Sequence, residues 1–287
     1  MKRTLVLLFL LVPSVLLAQT AKPSFMSAAV VKHNAGAGTL TANDPRPLMQ
    51  AVEAISQEYG WTVDYEDPLY QSHFDLVDST DPDWRAAHPK EKGAMRVAGG
   101  LFQSNFSEPS TENGEEQVLE KLVADYNSSG NPGKFAVRKE TEGRYAVVGV
   151  SRRDEAGRDQ TVNALLDTLI TIPVQQRDAT ATLQLIVDTL AATSGVHVKL
   201  GTIGLSSDPL QEATLTIGGA NVPARTLLLQ ALDDVSNTSP HFGGIFDWNF
   251  LFDADSDAYW LRLRSATKTV TDANGRQVVQ FIHHPRN

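Results

Sequence analysis

The sequence predicts an α+β protein of two related small modules, each with two helices packed on a mixed β-sheet in a βαββαβ-like order. Segments with the apolar spacing of an amphipathic helix alternate with short segments of strand-like alternation. This succession occurs twice, and its first helix, glycine stop and strand recur 135 residues further along the chain. Two helices covering one face of a small sheet is the arrangement that this order favours. The constant offset favours an internal duplication over the chance recurrence of a common pattern.

Residues 1–18 have the pattern of a cleavable signal peptide. Basic residues at positions 2 and 3 precede an apolar run from Leu5 to Leu17, and Ala18 places a small residue at a plausible cleavage point. The run is too short to span a bilayer comfortably, which disfavours the alternative of an uncleaved anchor. No later segment reaches about 18 consecutive apolar residues. We therefore expect an exported chain, periplasmic or secreted, with no integral membrane segment after signal cleavage.

The composition disfavours several classes of function. The formal charge is −9, and it becomes −11 when Lys2 and Arg3 leave with the signal peptide. An acidic chain without a basic stripe argues against nucleic acid and against anionic membrane as partners. The chain contains no cysteine, so it has neither a disulfide framework nor a thiolate nucleophile.

The first module is predicted over residues 45–150. It follows a leader at residues 19–44, which we expect to be disordered because it is rich in small and polar residues without a sustained period. Apolar residues mark one helix face over 48–59, Gly60 supplies the stop, and residues 61–65 alternate as a half-buried strand. The later elements are a short strand at 95–100, a helix through 118–126 and a hairpin of 135–138 with 144–150.

The second module is predicted over residues 167–270. A charged, turn-rich linker at 151–166 precedes it, and a C-terminal tail at 271–287 follows it. Its first helix has its apolar face over 183–190, and Gly195 is the stop. The other elements are strands at 168–174, 196–200 and 214–219, a helix through 227–235 and a hairpin of 248–252 with 259–263.

A family resemblance covers residues 171 to 263 of the second half. It depends on the order of Thr171–Val174, the helix through Leu183 and Leu190, Ser194–Val198, Ala213–Ile217, Val222–Leu228 and the hairpin from Trp248 to Leu263. In this order the chain resembles the short N-terminal (STN-like) domains of secretins and TonB-dependent transducers, small periplasmic modules that bind partner proteins. No alternating barrel strands follow in this sequence. The resemblance therefore implies a stand-alone adaptor or sensor-like piece whose sheet edge or helix face carries the partner.

Three alternating carboxylates, Asp253, Asp255 and Asp257, are a weak candidate for a metal site, because carboxylate oxygens suit Ca²⁺. An EF-hand loop requires glycine at the sixth position and glutamate at the twelfth, whereas this chain has Ala258 and Arg264 there. A solvated hairpin tip is the favoured interpretation. We therefore predict no metal site and no cofactor.

The first module carries an insertion at residues 69–92 that has no counterpart in the second module and is expected to be a long surface loop. Tyr70 and Trp84 in this insertion are the first candidates for a binding site. Exposed aromatic rings anchor protein interfaces and stack on sugar faces. The nearby residues Tyr59 and Trp61 are expected to pack in the core instead.

No catalytic constellation emerges from the sequence. It contains no nucleophile elbow, phosphate-binding loop or dinucleotide-binding turn. The acid pair Glu66 and Asp67 before Pro68 is interpreted as a strand-end turn, not as a general acid and base. We predict an exported periplasmic, non-enzymatic interaction or adaptor protein with an envelope protein partner. The alternative is a secreted carbohydrate-binding protein or hydrolase that uses the insertion at 69–92.

Overall fold

Helices and strands alternate along the described chain. The structure is a computed structural model, and it describes residues 27–110, 114–201, 208–238 and 244–283. The predicted signal peptide at 1–18 lies outside the described residues. The first half contains β1 (Ser27–Asn34), β2 (Ala37–Asn43), α1 (Pro47–Tyr59), β3 (Thr62–Glu66), β4 (Leu76–Asp78), α2 (Pro82–Ala87), β5 (Met95–Val97), β6 (Leu101–Ser107), α3 (Gly114–Ser128), β7 (Lys134–Thr141) and β8 (Arg144–Arg153). The second half contains β9 (Asp159–Thr161), a 3-10 turn (Leu165–Asp167), β10 (Leu169–Asp178), α4 (Ala179–Ser194), β11 (His197–Leu200), α5 (Asp208–Glu212), β12 (Thr214–Pro223), α6 (Ala224–Thr238), β13 (Phe246–Asp253), β14 (Ala258–Ser265), β15 (Thr267–Thr271) and β16 (Gln277–Phe281).

The structure confirms the predicted α+β class, and the two halves pair their strands in the same way. β2 is antiparallel to β6, as β10 is to β12. β3 is parallel to β8, as β11 is to β14. β7 is antiparallel to β8, as β13 is to β14. The halves therefore share element order and pairing, while their origin by duplication stays a prediction.

One sheet in the order β11-β14-β13-β3-β8-β7 runs through both halves. β13 lies parallel to β3, with Asn249 opposite Tyr65 and Phe250 opposite Glu66. Tyr65 lies in the core of the first half, and Phe250 lies in the core of the second. Because successive residues of a strand point to opposite faces, the helices of the two halves cover opposite faces of this sheet.

The helices end where the glycine stops predict. The backbone of Gly60 after α1 has φ of 75°, and that of Gly195 after α4 has φ of 70°. This left-handed conformation favours glycine, and each glycine N–H donates to a carbonyl of the last helical turn. Ile55 on α1 and Leu190 on α4 are buried, so the predicted apolar faces point into the two cores. None of the helices in the described ranges is long and apolar enough to cross a membrane.

The expectation of a disordered leader at 19–44 is wrong for residues 27–43. These residues form the hairpin of β1 and β2, and β2 continues the sheet to β6. Leu40 and Ala42 are buried on alternate positions of β2. Small residues hide this alternation in the sequence. Gly38 is required by packing, because a Cβ there would lie 2.2 Å from the ring of Phe106.

The predicted linker at 151–166 is folded against the sheet. β8 extends to Arg153, and β9 pairs with its end after a turn in which the Asp154 N–H donates to the Arg158 carbonyl at 2.9 Å. The predicted tail at 271–287 likewise contains a strand. β16 pairs with β15, so a hairpin reaches into this segment.

Candidate functional site

Two carboxylates of the first half hold the backbone of β13 where the halves meet. The Trp248 N–H donates to Asp64 Oδ1 at 3.0 Å, and the Phe252 N–H donates to Asp67 Oδ2 at 3.1 Å. Both carboxylates are fully buried. Side chains thus extend the short ladder between β3 and β13, and the joint is specified by these two residues as well as by backbone pairing.

Each of these carboxylates also has an arginine partner from its own half. Arg144 donates to both oxygens of Asp64 at 2.8 and 3.0 Å, and Arg46 Nε donates to Asp67 Oδ2 at 2.7 Å. Burial raises the pKa of both carboxyl groups, and the guanidinium groups oppose that rise. A buried pair of this kind is costly to break, because the remaining charge has no water to solvate it.

Arg225 at the start of α6 crosses from the second half to the first. It contacts the buried Glu66 and pairs through Nε with Asp167 at 3.1 Å and through Nη1 with Glu140 at 3.3 Å. Its guanidinium carbon also lies 5.4 Å from the ring centre of Trp248. Glu66 accepts a further hydrogen bond from the Leu166 N–H at 3.1 Å. The predicted strand-end acid pair is therefore part of a buried network.

A second charged cluster joins α1 to β13 and β14. Arg264 Nε donates to Asp247 at 3.1 Å, and its Nη1 donates to Glu53. Asn249 Nδ2 donates to Glu53 at 2.8 Å. Burial raises the pKa of Asp247 to about 6, against the opposing charge of Arg264. The cluster borders a cavity of about 120 Å³. Its charges, like those on β3, connect the two halves.

The insertion at 69–92 is not a plain surface loop, and Tyr70 is not on the surface. It contains β4 and α2, and the Tyr70 side chain is 1% exposed within the core of the second half. Burial raises the pKa of its phenol well above the ordinary value. Ser72 and Asp75 are also buried. The sequence does not predict this burial, because the polar residues Gln71, Ser72 and His73 follow Tyr70 directly.

Trp84, the other candidate, is partly exposed at 37% and lies on α2. It lines an open cavity of about 450 Å³ together with Asp255 from the turn between β13 and β14. Lys92 links the insertion to this turn, since its Nζ donates to the Asp255 carbonyl at 2.8 Å. The structure therefore brings together Trp84 and one of the three alternating aspartates, and it leaves Tyr70 elsewhere.

The three alternating aspartates turn the chain between β13 and β14. Asp253 Oδ1 accepts the Asp255 N–H at 3.2 Å, and its Oδ2 accepts the Ser256 hydroxyl at 2.6 Å. Asp255 Oδ1 accepts the Met95 N–H at 2.5 Å, and Asp257 has a left-handed backbone with φ of 46°. Among the residues that the structure describes, no group of three metal-ligating side chains is placed to hold an ion.

Strand edges are the other candidate surface. Among the described strands β10 pairs with β12 alone, whereas its counterpart β2 lies between β1 and β6. β10 exposes two large apolar residues, Leu169 at 54% and Val174 at 68%. The edge strand β7 carries Lys134, Arg138 and Lys139, and the edge strand β11 has four residues. Charge and short length protect an edge from strand addition. β10 is longer than β11 and carries fewer cations than β7, and Pro173 and the register shifts near it are its own protective features.

The comparisons give no functional assignment. Protein families, curated proteins and solved structures were each compared with this chain, and none matches it.

Proposed function

We propose that this chain is an exported, non-enzymatic interaction protein of the cell envelope that binds an extended segment of an envelope protein along β10. The observation that carries the proposal is the difference between two equivalent strands. β2 has a neighbour on each side, and in the part of the chain that the structure describes β10 has a neighbour on one side. Export rests on the pattern of residues 1–18, and the adaptor role agrees with the resemblance of the second half to STN-like domains.

The molecule contains its own example of what can occupy this edge. β1 lies antiparallel on β2, with His33 opposite Gly38 and Val31 opposite Leu40. Ala29 and Val31 of β1 pack partly against the core of the first half. A partner strand on β10 would take the corresponding place. We therefore expect an extended segment in which apolar residues alternate with polar residues.

β10 has the length and surface for such a partner. It runs for 10 residues, and its register with β12 shifts near Pro173. Proline has no N–H donor and is found on edge strands, so a partner strand would pair with the backbone on either side of Pro173 and not at Pro173 itself. Leu169 and Val174, on either side of Pro173, supply exposed apolar contacts. Backbone pairing would give affinity, and these two side chains would give selectivity.

The buried carboxylates support a non-enzymatic role. Asp64, Glu66 and Asp67 each have an arginine partner and a backbone N–H partner. Their perturbed pKa values arise from burial in the joint between the halves. Ion-pair networks of this kind perturb pKa values without any catalytic role.

The proposal is tested by cross-linked capture from the envelope fraction of the source cells with the mature chain as bait. Leu169→Lys and Val174→Lys place a charge on the β10 edge and should remove the captured partner. The matched control is Val279→Lys, because Val279 is 64% exposed and lies on β16, which pairs with β15 and not with β10. Deletion of 69–92 is unsuitable, since it would remove the buried Tyr70.

Capture of the same envelope protein by the wild-type chain and by Val279→Lys, with loss in both β10 variants, supports the proposal. Capture that survives both β10 variants contradicts the assignment of the edge. If neither the wild-type chain nor the control captures a specific envelope protein, the adaptor role itself is wrong.

A further inference from the structure

We propose that the cavity between α2 and the turn from β13 to β14 binds a neutral pyranose sugar. This site is separate from β10 and goes beyond the adaptor role. Its wall combines one aromatic ring with charged and hydroxyl side chains, namely Trp84, Asp81, Asp255, Lys92, Ser79 and Thr80. An aromatic surface with a few convergent polar groups is the usual composition of a small-molecule site.

The aromatic platform is held rigidly before any ligand arrives. The Trp84 and His88 rings stack with their centres 4.7 Å apart and an angle of 24° between the ring planes. His88 Nδ1 lies 3.0 Å from the Trp84 carbonyl oxygen. Asp81 caps α2 by accepting the N–H groups of Asp83 at 2.9 Å and Trp84 at 3.1 Å. Side chains fixed in advance lose less entropy on binding. The His88 ring covers one face of the Trp84 ring, so a flat ligand would stack on the other face.

Arg85 holds the loop that carries Trp84 in place. Arg85 donates to Asp78 at 2.7 Å, to Thr80 at 3.0 Å and to the Glu91 carbonyl at 2.8 Å. Gly93 lies so close that a Cβ there would meet the Arg85 guanidinium at 1.6 Å. The guanidinium thus occupies the space behind the cavity floor. The partners of Arg85 all lie within the insertion and not in the joint between the halves. Preorganisation of a binding site is a direct reason for these contacts.

The opposite wall supplies hydrogen-bond acceptors. Lys92 binds the carbonyls of Asp255 and Ala254 at 2.8 and 3.4 Å, which fixes the turn against the insertion. One carboxylate oxygen of Asp81 accepts the N–H groups of Asp83 and Trp84, and one oxygen of Asp255 accepts the Met95 N–H. Within the described chain no donor is paired with the other oxygen of either residue. Carboxylate oxygens are strong acceptors for sugar hydroxyl groups.

These features select one class of ligand. A pyranose with equatorial hydroxyls presents axial C–H groups to an aromatic face and directs its hydroxyls to the rim, where polar side chains accept them. The two carboxylates and one lysine on the wall give a charge of −1, which opposes acidic sugars. A cavity of about 450 Å³ is in the lower part of the range for ligand sites and suits one or two sugar rings.

The test is an NMR titration of the ¹⁵N-labelled mature chain with cellobiose and with N,N′-diacetylchitobiose, and with digalacturonate as the acidic comparison. We expect saturable shifts with a neutral disaccharide below about 10 mM, a weak affinity that suits an open site. Trp84→Ala should weaken binding about tenfold, and Trp84→Tyr should retain most of it because a ring remains. Melting curves of the variants verify folding.

Phe74→Ala is the matched control, because Phe74 is a 42% exposed aromatic residue of the same insertion that also contacts a histidine ring. It should leave binding unchanged. The proposal is overturned if neither neutral disaccharide gives saturable shifts, if Trp84→Ala binds as the wild-type chain does, or if digalacturonate binds as tightly. Capture of the envelope partner is measured separately, so failure here leaves the β10 proposal standing.

Discussion

Replacing Arg225 by methionine would leave Glu66 as a buried carboxylate without its cation. Glu66 is fully buried, and its other close partner is the Leu166 N–H at 3.1 Å. Breaking a buried pair by removing one partner costs about 3–5 kcal/mol. The side chains of Asp167 and Glu140 are 34% and 12% exposed. Water solvates them better than it solvates Glu66, so losing Arg225 costs less at these two carboxylates. We expect Arg225→Met to lower the free energy of unfolding by about 4 kcal/mol at neutral pH.

Most of that loss should be recovered by neutralising Glu66 in the same chain. Glu66→Gln keeps an oxygen for the Leu166 N–H and removes the charge. The double variant should therefore be about 2–3 kcal/mol more stable than Arg225→Met alone, since only an uncompensated charge makes the single change severe. Urea unfolding of the four chains gives these differences directly. A double variant that is less stable than Arg225→Met would refute this account of the network.

The remaining predictions concern a titrating carboxylate and the two cores. The pKa of Asp247 is about 6 in the folded protein, against 3.8 for an ordinary aspartate. Protonation of Asp247 therefore stabilises the folded state by up to about 3 kcal/mol below about pH 4, and this stabilisation is lost as the pH rises through about 6. The free energy of unfolding of the wild-type chain, minus that of Asp247→Asn, should thus fall between about pH 4 and 7.5 in urea titrations. A difference in the free energy of unfolding that stays constant over this range would contradict the argument. Ile55→Asp and Leu190→Asp each bury an unpaired carboxylate and should cost at least about 4 kcal/mol in thermal or urea melts. An unchanged melting temperature would show that these helix faces are assigned wrongly.

The first helix of each module is predictable from the sequence because its apolar spacing repeats over several turns and ends at a glycine. α1 and α4 are the examples, with Gly60 and Gly195 in the left-handed conformation. β1 and β2 are not predictable in this way. Their alternating residues are small, so Leu40 is the one large apolar side chain buried in β2. β6 does carry the pattern of a half-buried strand, since Phe102, Ser104 and Phe106 are buried and the residues between them are exposed, and this signal was missed.

The joint between the halves could not be predicted from local patterns. Asp64 and Trp248 are 184 residues apart in the chain, and nothing in either strand alone indicates that the carboxylate accepts the backbone N–H. A signal was nevertheless present. Asp64 and Glu66 alternate in β3, and Arg144 opens β8 beside it. Charged residues at alternate strand positions indicate either a solvated face or a buried network, and only the three-dimensional arrangement decides between the two.

The candidate site was partly predictable. Trp84 was singled out as an exposed aromatic residue of the insertion, and it does line a cavity. Tyr70 was singled out by the same argument, although it is a core residue. Sequence does not separate the two, because each is an aromatic residue with polar residues beside it, Gln71 and Ser72 after Tyr70 and Asp83 and Arg85 around Trp84. Asp255 could not be assigned to the site from its own segment. It lines the cavity because Lys92 of the insertion binds the turn between β13 and β14.

The proposed role as an envelope interaction protein is tested most directly by a photo-cross-linking residue at position 174 in the living source cells. The same residue placed at position 279 is the control, since both native valines are about equally exposed, at 68% and 64%. The account predicts a cross-link to one envelope protein from position 174 and none to that protein from position 279. The same cross-link from both positions, or none from position 174, would contradict it.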